Sequence, residues 1–201
     1  MSKLIWKPGT MIYPLPVVLV SVGDMEKANA LTVAWTGIIC SDPAMTYISI
    51  RKERYSYDII KKNKEFVINI PNKDMVKALD YCGVRSGKNE NKIEKMNLHL
   101  EKAENVKVPL IKEAPISIEC KVKEIVPLGS HDMFIAEILS VDVDEKYMDK
   151  TGKFDMDKCN LIAYSHGQYY ELGKKLGKFV FSVEKKSTKA KRKSNSKNLK
   201  K

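Results

Sequence analysis

The sequence predicts a mainly β protein with a few helices (α+β), built as a closed or split antiparallel β-barrel. Two observations lead to this fold class. Short segments rich in Val, Ile, Thr and aromatic residues, bounded by turn residues, outnumber the helical patterns along the chain. The helical patterns fall in the connections between these segments, so we expect the helices to pack around the barrel.

Four strands are expected in the first seventy residues. They cover residues 17–22, 31–39, 45–50 and 65–70. The turn at 23–27 has the length of a hairpin connection, and Pro43 ends the second strand because proline has no N–H to donate to a ladder. We expect these strands to form an antiparallel meander.

Two longer strands and a short one are expected in the second half of the chain. Residues 116–126 alternate between apolar and polar side chains, which is typical of a strand buried on one face only. Residues 134–143 are apolar on both faces, which indicates a core on one side and a second layer on the other. Residues 161–164 add a short strand.

Three short helices are expected between the strands. They cover residues 56–63, 74–81 and 90–96. The first has the clearest signals, because Ser56 stands in the N-cap position, Asp58 lies in the first turn and two lysines lie in the last turn.

The charge of the chain is unevenly distributed. Its 201 residues include 36 Lys and Arg and 25 Asp and Glu, a formal net charge of +11. Residues 185–201 hold nine of the basic residues and no acid, which leaves 27 basic and 25 acidic residues in the rest. We expect one domain over residues 1–184 and a disordered Lys-rich tail over 185–201, because the tail has too few apolar residues to offset its ordering entropy.

The sequence favours a cytoplasmic protein without membrane contact. Its longest apolar stretch near the start is far below the ~20 residues that a spanning helix needs, and the first residues lack the apolar core of a signal peptide. The four cysteines lie about forty residues apart without zinc-ligand spacing. We expect them to be reduced and mostly buried.

Missing motifs exclude several enzyme classes. The chain has no G-x-G-x-x-G fingerprint for dinucleotides, no H-E-x-x-H zinc motif and no G-x-S-x-G nucleophile turn. Ser165, His166 and Asp132 do not indicate a hydrolytic triad, because side chains adjacent in sequence rarely point at one another. No metal site is expected.

Three cations lead from the end of a strand into the first helix. Arg51, Lys52 and Arg54 precede Ser56, the expected N-cap. Guanidinium and ammonium groups form charge-assisted hydrogen bonds with phosphate, and the free N–H groups of a helix N-terminus add to them. The pattern indicates a phosphate site, with a solvated basic turn as the alternative.

Small side chains lie on one face of the segment 29–37. Thr32, Ala34 and Thr36 alternate on that face, whereas Asn29 and Trp35 fall on the other. The small face leaves room for a flat ligand and offers hydroxyl groups. A sheet interior packed against a helix is the alternative.

Three loops carry further hydrogen-bond donors. They lie at residues 86–92, 129–132 and 164–169, and the last two contain His131 and His166. An isolated histidine beside a strand is more often structural or exposed than a ligand. These loops extend the candidate site without defining a reaction.

Taken in order, segments along most of the chain resemble the flavin reductase-like family of FMN-binding split barrels, and most closely its flavoredoxin-type members. The matching segments are YPLPV at 13–17, NALTVAWTG at 29–37, SIRKERYSY at 49–57, FVINIP at 66–71, YCG at 81–83, SG at 86–87, Lys92, LGSHDMF at 128–134 and SHGQY at 165–169. The resemblance runs from about residue 10 to residue 183 and omits the tail.

The resemblance implies a homodimer of split barrels with FMN near the subunit interface. The residues implied along the flavin are Asn29, Trp35 and Thr36. Those implied at the phosphate end are Arg51, Lys52, Arg54, Ser56 and Tyr57. Those implied to complete the pocket are Lys92, His131, Tyr164 and His166.

Three functional hypotheses stay open. The first is an FMN-dependent oxidoreductase of the flavin reductase type with NAD(P)H as electron donor, in which the flavin carries the chemistry and no catalytic side chain is needed. The second is an FMN-bound electron carrier that serves a redox protein partner and has no NAD(P)H activity. The third is nucleic-acid binding through residues 185–201, whose contact with a polyanion would be weak and salt-sensitive.

Overall fold

The computed structural model describes residues 1–183. The strands are β1 (Val18–Val22), β2 (Asn29–Val33), β3 (Thr36–Ser41), β4 (Ala44–Ile50), β5 (Glu65–Ile70), β6 (Leu100–Glu101), β7 (Leu110–Ile111), β8 (Ile116–Pro127), β9 (Asp132–Val143), β10 (Ile162–Ser165) and β11 (Gln168–Glu171). The α-helices are α1 (Tyr55–Asn63), α2 (Val76–Val84) and α3 (Lys92–Lys95). The expected mainly β fold with helices in the connections is confirmed.

Seven strands form one antiparallel sheet in the order β2-β1-β5-β8-β9-β4-β3. Strands β2 and β3 lie at opposite ends of this order, although only Ala34 and Trp35 separate them in sequence. The chain itself therefore joins the two ends of the sheet. The backbone N–H of Ser49 in β4 also donates to the carbonyl oxygen of Trp35 at 2.8 Å, which extends the pairing of β4 with β3 by one residue. Within residues 1–183 no pairing joins β2 to β3, so the barrel closes at this point without a ladder.

Two expectations about the first strands are wrong. The segment 31–39 is not one strand, because the chain leaves β2 after Val33 and starts β3 at Thr36. The meander also fails after β4, which pairs with β9, whereas β5 pairs with β1 and β8. Helix α1 lies between β4 and β5 in sequence, and a helical connection allows consecutive strands to be separated in the sheet.

The interior of the barrel is apolar. Phe66, Phe134 and Ile48 are fully buried there, together with residues of β1, β2 and β8. A second apolar cluster joins the outer face of β1 and β2 to α2 and α3, with Leu19 and Leu79 fully buried. Helix α2 is thereby fixed against β2, beside the point where the barrel closes.

The polar face of β8 is exposed over its second half, as the alternating pattern predicts, but buried over its first half. Glu119 on this face is fully buried, and its carboxylate accepts hydrogen bonds from the backbone N–H groups of Glu104, Asn105 and Val106 at 2.9, 2.6 and 3.0 Å. The loop between β6 and β7 therefore covers this face. A buried carboxylate is tolerated because three donors compensate its desolvation.

The second layer expected over residues 134–143 is absent from the described part of the chain. Phe134 and Ala136 face the core, but Leu139 and Val141 are exposed. Strand β9 therefore presents apolar side chains that no segment within residues 1–183 covers.

The remaining general expectations concern cysteines, membranes and the tail. The four cysteines are free, with Cys40 half-buried and Cys82, Cys120 and Cys159 buried. Within residues 1–183, every helix is too short or too polar to cross a bilayer. The expected boundary at residue 184 and the tail 185–201 lie outside the described residues.

Candidate functional site

Two adjoining cavities lie beside the closure of the barrel. Leu31, Arg51, Arg54 and Val84 contribute to the walls of both. The first, of about 400 Å³, is called the aromatic cavity because Trp35, His131, Tyr164 and Tyr169 line it. The second, of about 430 Å³, is called the basic cavity because Arg51, Arg54, Arg85 and Lys92 line it. Each volume falls within the range of small-molecule sites.

The closure of the barrel places Trp35 in the aromatic cavity. Since Trp35 lies between two strands, its side chain is 39% exposed and stacks on the ring of His131, with 6.2 Å between centroids and 7° between planes. His131 immediately precedes β9, and its Nδ1 lies 2.9 Å from the hydroxyl oxygen of Ser130. One wall of the cavity is therefore a pair of parallel flat rings.

The hairpin of β10 and β11 contributes two further aromatic side chains to the aromatic cavity. Tyr164 and Tyr169 are paired across the hairpin, and their ring centroids lie 5.5 Å apart. The hydroxyl of Tyr169 donates to Asp80 Oδ1 at 3.1 Å. Burial, followed by this bond, raises the pKa of Tyr169 to about 12, so its phenol is neutral at physiological pH.

Lys92 is the buried cation of the basic cavity. Its side chain is nearly inaccessible, with the residue 3% exposed, and Nζ donates to the carbonyl oxygens of Cys82 and Arg85, both at 3.1 Å. These carbonyls belong to the C-terminal end of α2, where helical carbonyls lack partners within the helix. Burial lowers the pKa of Lys92.

The Lys92 ammonium group has no carboxylate within 4 Å among residues 1–183. An ammonium group has three N–H donors, and two are used by the α2 carbonyls. A buried cation is costly unless an anion compensates it. The basic cavity is therefore suited to an anionic group.

The start of α1 adds to this anion site. Arg54 is its N-cap residue, and no side chain caps the helix. The N–H of Tyr57 donates to Arg54 O at 2.9 Å, which leaves the two N–H groups before it for a ligand. The guanidinium group of Arg54 donates to Gly83 O at 3.0 Å, which fixes it beside both cavities. Arg51 pairs with Glu53 at 3.2 Å.

Ser56 is not the N-cap that the sequence predicts. It lies within the first turn of α1, is buried, and its hydroxyl oxygen accepts a hydrogen bond from Asn29 Nδ2 at 2.8 Å. A Cβ atom at Gly87 would lie 2.2 Å from Asn29 Oδ1 and 2.9 Å from the Tyr55 ring. The loop after α2 therefore closes the basic cavity only because residue 87 has no side chain.

The structure brings eight of the twelve sequence-predicted residues to the two cavities. Those lining the basic cavity are Asn29, Arg51, Arg54, Ser56 and Lys92. Those lining the aromatic cavity are Trp35, His131 and Tyr164, with Arg51 and Arg54 shared.

Thr36 and His166 are two of the predicted residues that line neither cavity. The hydroxyl of Thr36 donates to Tyr47 O at 2.6 Å, so it serves the pairing of β3 with β4. His166 occupies the turn of the β10–β11 hairpin, and its ring lies 4.5 Å from that of Tyr13. For both residues a direct ligand contact stays a prediction.

Lys52 and Tyr57 are the other two residues outside the cavities. Tyr57 is buried beside the barrel core, and its hydroxyl donates to Asp132 Oδ2 at 2.5 Å. Lys52 Nζ lies 3.4 Å from Asp132 Oδ1. Both side chains are therefore directed to a carboxylate of the protein, and their expected place at a phosphate stays a prediction.

Arg85 and Tyr169 line the cavities but were not among the predicted site residues. Tyr169 had a usable signal in the sequence, because Gly167 between two short strand-like segments is typical of a two-residue hairpin turn. In the structure His166 and Gly167 form that turn, both with positive φ. That turn sets Tyr169 opposite Tyr164. Arg85 had no such signal, since only the packing of α2 directs it to the basic cavity.

Comparison with known proteins gives matches along most of the chain. Residues 10–173 match the family described as flavin reductase like domain. An uncharacterised protein of Archaeoglobus fulgidus is 35% identical over 159 residues, which cover 79% of this chain and 88% of that protein.

Two solved flavoredoxin structures resemble the whole barrel. The flavoredoxin of Desulfovibrio vulgaris (Miyazaki F) has a TM-score of 0.83 and 33% identity, over 91% of this chain and 100% of that chain. The flavoredoxin from Methanosarcina acetivorans has a TM-score of 0.82 and 28% identity, over 92% and 100% of the two chains.

The family match includes every residue that lines the two cavities, from Val17 to Tyr169. It also includes the closure of the barrel at Trp35 and the first turn of α1, which form the site. The split-barrel fold expected from the sequence is confirmed by its structural relatives. The chain belongs to the flavin reductase-like domain family.

Proposed function

We propose that this protein binds FMN across the aromatic and basic cavities and acts as an NAD(P)H-dependent oxidoreductase. The observation that carries the FMN assignment is the burial of Lys92. One N–H donor of its ammonium group has no hydrogen-bond partner, and no carboxylate pairs with it, in the described chain. Because the aromatic cavity adjoins this cation, the site suits a ligand with a flat ring and an anionic end.

The basic cavity fits the phosphate of FMN by charge. A phosphate monoester carries about −1.5 to −2 charges at neutral pH. Arg51 is partly neutralised by Glu53, which leaves Arg54, Arg85 and Lys92 as the principal cations. The uncapped start of α1 supplies backbone N–H groups as further donors.

The aromatic cavity fits the isoalloxazine ring by shape and polarity. Trp35 and His131 offer flat surfaces, and Tyr164 and Tyr169 provide a second aromatic side. When bound, FMN supplies hydride and single-electron chemistry. The side chains of this chain bind and orient the ring, and none is required to act as a nucleophile or a general base.

An electron carrier without NAD(P)H activity is the second candidate. It is favoured by the flavoredoxins, to which this chain is 33% and 28% identical over nearly its whole length. In that case a redox protein partner would supply or receive the electrons. Nucleic-acid binding through residues 185–201 stays a prediction, since those residues lie outside the described structure.

We also propose a homodimer in the cytoplasm. Ile38, which is 85% exposed, and Ile39 project from the edge strand β3, and Leu139 and Val141 are exposed on β9. Exposed apolar patches on a soluble protein often mark interfaces, and a second copy would bury these residues. The free cysteines fit a reducing compartment.

One titration tests the proposal. The purified protein is mixed with FMN, and NADH or NADPH is then added without oxygen while flavin absorbance is recorded. Bleaching by either nucleotide supports the oxidoreductase. Bound FMN that responds to dithionite but to neither nucleotide indicates the carrier, whereas a protein that binds no FMN contradicts both assignments.

A further inference from the structure

Asp132 lies between the two ends of the candidate site but lines neither cavity. It is the first residue of β9 and only 5% exposed. In the sheet it stands opposite Ile50, the last residue of β4, and opposite Pro127, the last residue of β8. Asp132 thus follows His131 of the aromatic cavity and faces the strand end that leads to Arg51.

The Asp132 carboxylate has one hydrogen bond and one ion pair, while its buried Oδ1 atom lacks a hydrogen-bond partner within residues 1–183. Oδ2 accepts a hydrogen bond of 2.5 Å from the Tyr57 hydroxyl, and Oδ1 lies 3.4 Å from Lys52 Nζ. The Tyr57 bond, aided by the charge of Lys52 and opposed by burial, lowers the pKa of Asp132. The same bond raises the pKa of Tyr57 to about 12, so the pair is a carboxylate and a neutral phenol at physiological pH.

Tyr57 is itself fixed by the barrel core. It is 5% exposed, and its ring meets the ring of Phe134 edge-on at 5.4 Å. Tyr57 therefore cannot turn toward a ligand without leaving the core. Its hydroxyl connects the first turn of α1 to the start of β9.

The two contacts join the phosphate end of the site to its ring end. Lys52 stands between Arg51 and Arg54 of the basic cavity, whereas Asp132 stands next to His131, which stacks on Trp35. Movement of Asp132 would shift both groups of ligand-facing residues relative to each other.

We propose that Asp132, with Tyr57 and Lys52, is a positioning residue that sets the distance between the phosphate-binding turn and the ring-binding histidine. This inference rests on the proposed binding of FMN. Lys52 is then the counter-ion of Asp132, and the phosphate is bound by Arg54, Arg85 and Lys92. In this proposal Asp132, Tyr57 and Lys52 act without contacting the flavin.

The test compares FMN with riboflavin, which lacks the phosphate. Affinities for both are measured by flavin fluorescence in the wild-type protein and in Asp132→Asn, Tyr57→Phe and Lys52→Met variants. Visible circular dichroism of bound FMN reports the orientation of the ring. Lys62→Met, which removes an exposed lysine from the last turn of α1, is the matched control for loss of charge.

We expect Asp132→Asn and Tyr57→Phe to weaken FMN and riboflavin by similar factors of about tenfold, since each removes or weakens a hydrogen bond to a charged group. Both should alter the visible circular dichroism of FMN. Lys52→Met should change the ratio of FMN affinity to riboflavin affinity less than about threefold. In the double variant with Asp132→Asn the two losses of affinity should not add, because the two residues act as one unit.

Several outcomes would overturn the inference. One is unchanged affinity and unchanged circular dichroism in folded Asp132→Asn. Another is a Lys52→Met variant that loses FMN affinity tenfold and keeps riboflavin, because Lys52 would then bind the phosphate. If Asp132→Asn fails to fold, Tyr57→Phe decides, since it removes a single hydroxyl. A wild-type protein that binds neither flavin refutes the proposed function instead.

Discussion

At the scale of single residues, Lys92 shows how burial turns an ordinary side chain into a binding group. Two carbonyl oxygens at the end of α2 hold its ammonium group within the protein. These neutral partners satisfy hydrogen bonds but carry no opposite charge, and no carboxylate within residues 1–183 lies within 4 Å of the ammonium group. The charge is therefore available to an anion in the basic cavity.

Replacing Lys92 by Met should weaken FMN far more than riboflavin. A charge-assisted hydrogen bond contributes about 1.5–3 kcal/mol, which corresponds to about ten- to a hundredfold in FMN affinity, with riboflavin changing less than about threefold. Fluorescence titration measures both. Lys88→Met, at an exposed position in the loop that precedes α3, serves as the control, and an equal loss of both flavins in Lys92→Met would contradict the assignment.

The lowered pKa of Lys92 gives FMN binding a pH dependence. Phosphate binds the ammonium form, which is complete below the pKa of Lys92 in the free protein and is lost as the pH rises through it. Because burial lowers that pKa from 10.5, FMN affinity should fall on the alkaline side before an ordinary lysine titrates. Riboflavin affinity should stay level there, and the slope for FMN should disappear in Lys92→Met. A flat FMN profile would count against Lys92 as the phosphate ligand.

At the scale of elements, the site depends on where helices end and begin. The C-terminal carbonyls of α2 hold Lys92, and the uncapped N-terminus of α1 faces the same cavity. The loop of residues 86–89 closes this cavity by packing on Asn29. Each contact uses groups that a helix terminus leaves without partners.

Gly87→Ala tests the packing of that loop. The new Cβ would meet Asn29 Oδ1 at 2.2 Å, and Asn29 cannot yield freely because it is buried and bonded to Ser56. The loop should move outward and FMN affinity should fall about tenfold, an effect comparable to the 1–3 kcal/mol that overpacking costs. Gly173→Ala is the control, since no atom lies within 4 Å of its Cβ position. Wild-type affinity in Gly87→Ala would show that the loop adapts.

At the scale of the whole molecule, the barrel leaves apolar surface uncovered at its edge. Strand β3 pairs with β4 on one side only, and the adjacent residues Ile38 and Ile39 are exposed there. An apolar edge strand invites pairing with another chain. The proposed homodimer would cover it.

Ile38→Lys should therefore convert the protein from a dimer to a monomer. A lysine at this position would have to be desolvated in the interface, whereas it is easily hydrated in a monomer. Light scattering coupled to size exclusion measures the mass. Met25→Lys, at an exposed position in the turn between β1 and β2, is the control, and a dimer that survives Ile38→Lys unchanged would place the interface elsewhere.

The strand pattern was predictable because it depends on neighbours in sequence. Strand β5 has the predicted bounds, and β1, β4, β8 and β9 differ from theirs by one or two residues. The order of the strands was not predictable to the same degree. The pairing of β4 with β9 joins residues nearly ninety positions apart, and no local signal specifies such a partner.

The candidate site was predictable where the segment itself carries the chemistry. Arg51 and Arg54 could be identified from three cations before a helix, and the structure sets both in the cavity walls. The same cluster gave no indication of the partner that Lys52 and Tyr57 have within the protein. Their partner, Asp132, lies 75 residues from Tyr57 in sequence, so only the folded barrel could reveal that these side chains bind the protein itself.

The sequence by itself determined a β-rich domain, a basic strand-to-helix turn and, through resemblance, the flavin reductase-like family. Alternation, turn residues and charge clusters are local properties of the sequence, and the folded protein keeps the strands and the basic turn that they predict. Tertiary structure alone decided which polar groups face the cavities and which are used internally. The environment of a side chain depends on every segment that packs around it, and no local pattern specifies that environment. Lys92 is buried without a carboxylate partner within residues 1–183, whereas Lys52 pairs with Asp132.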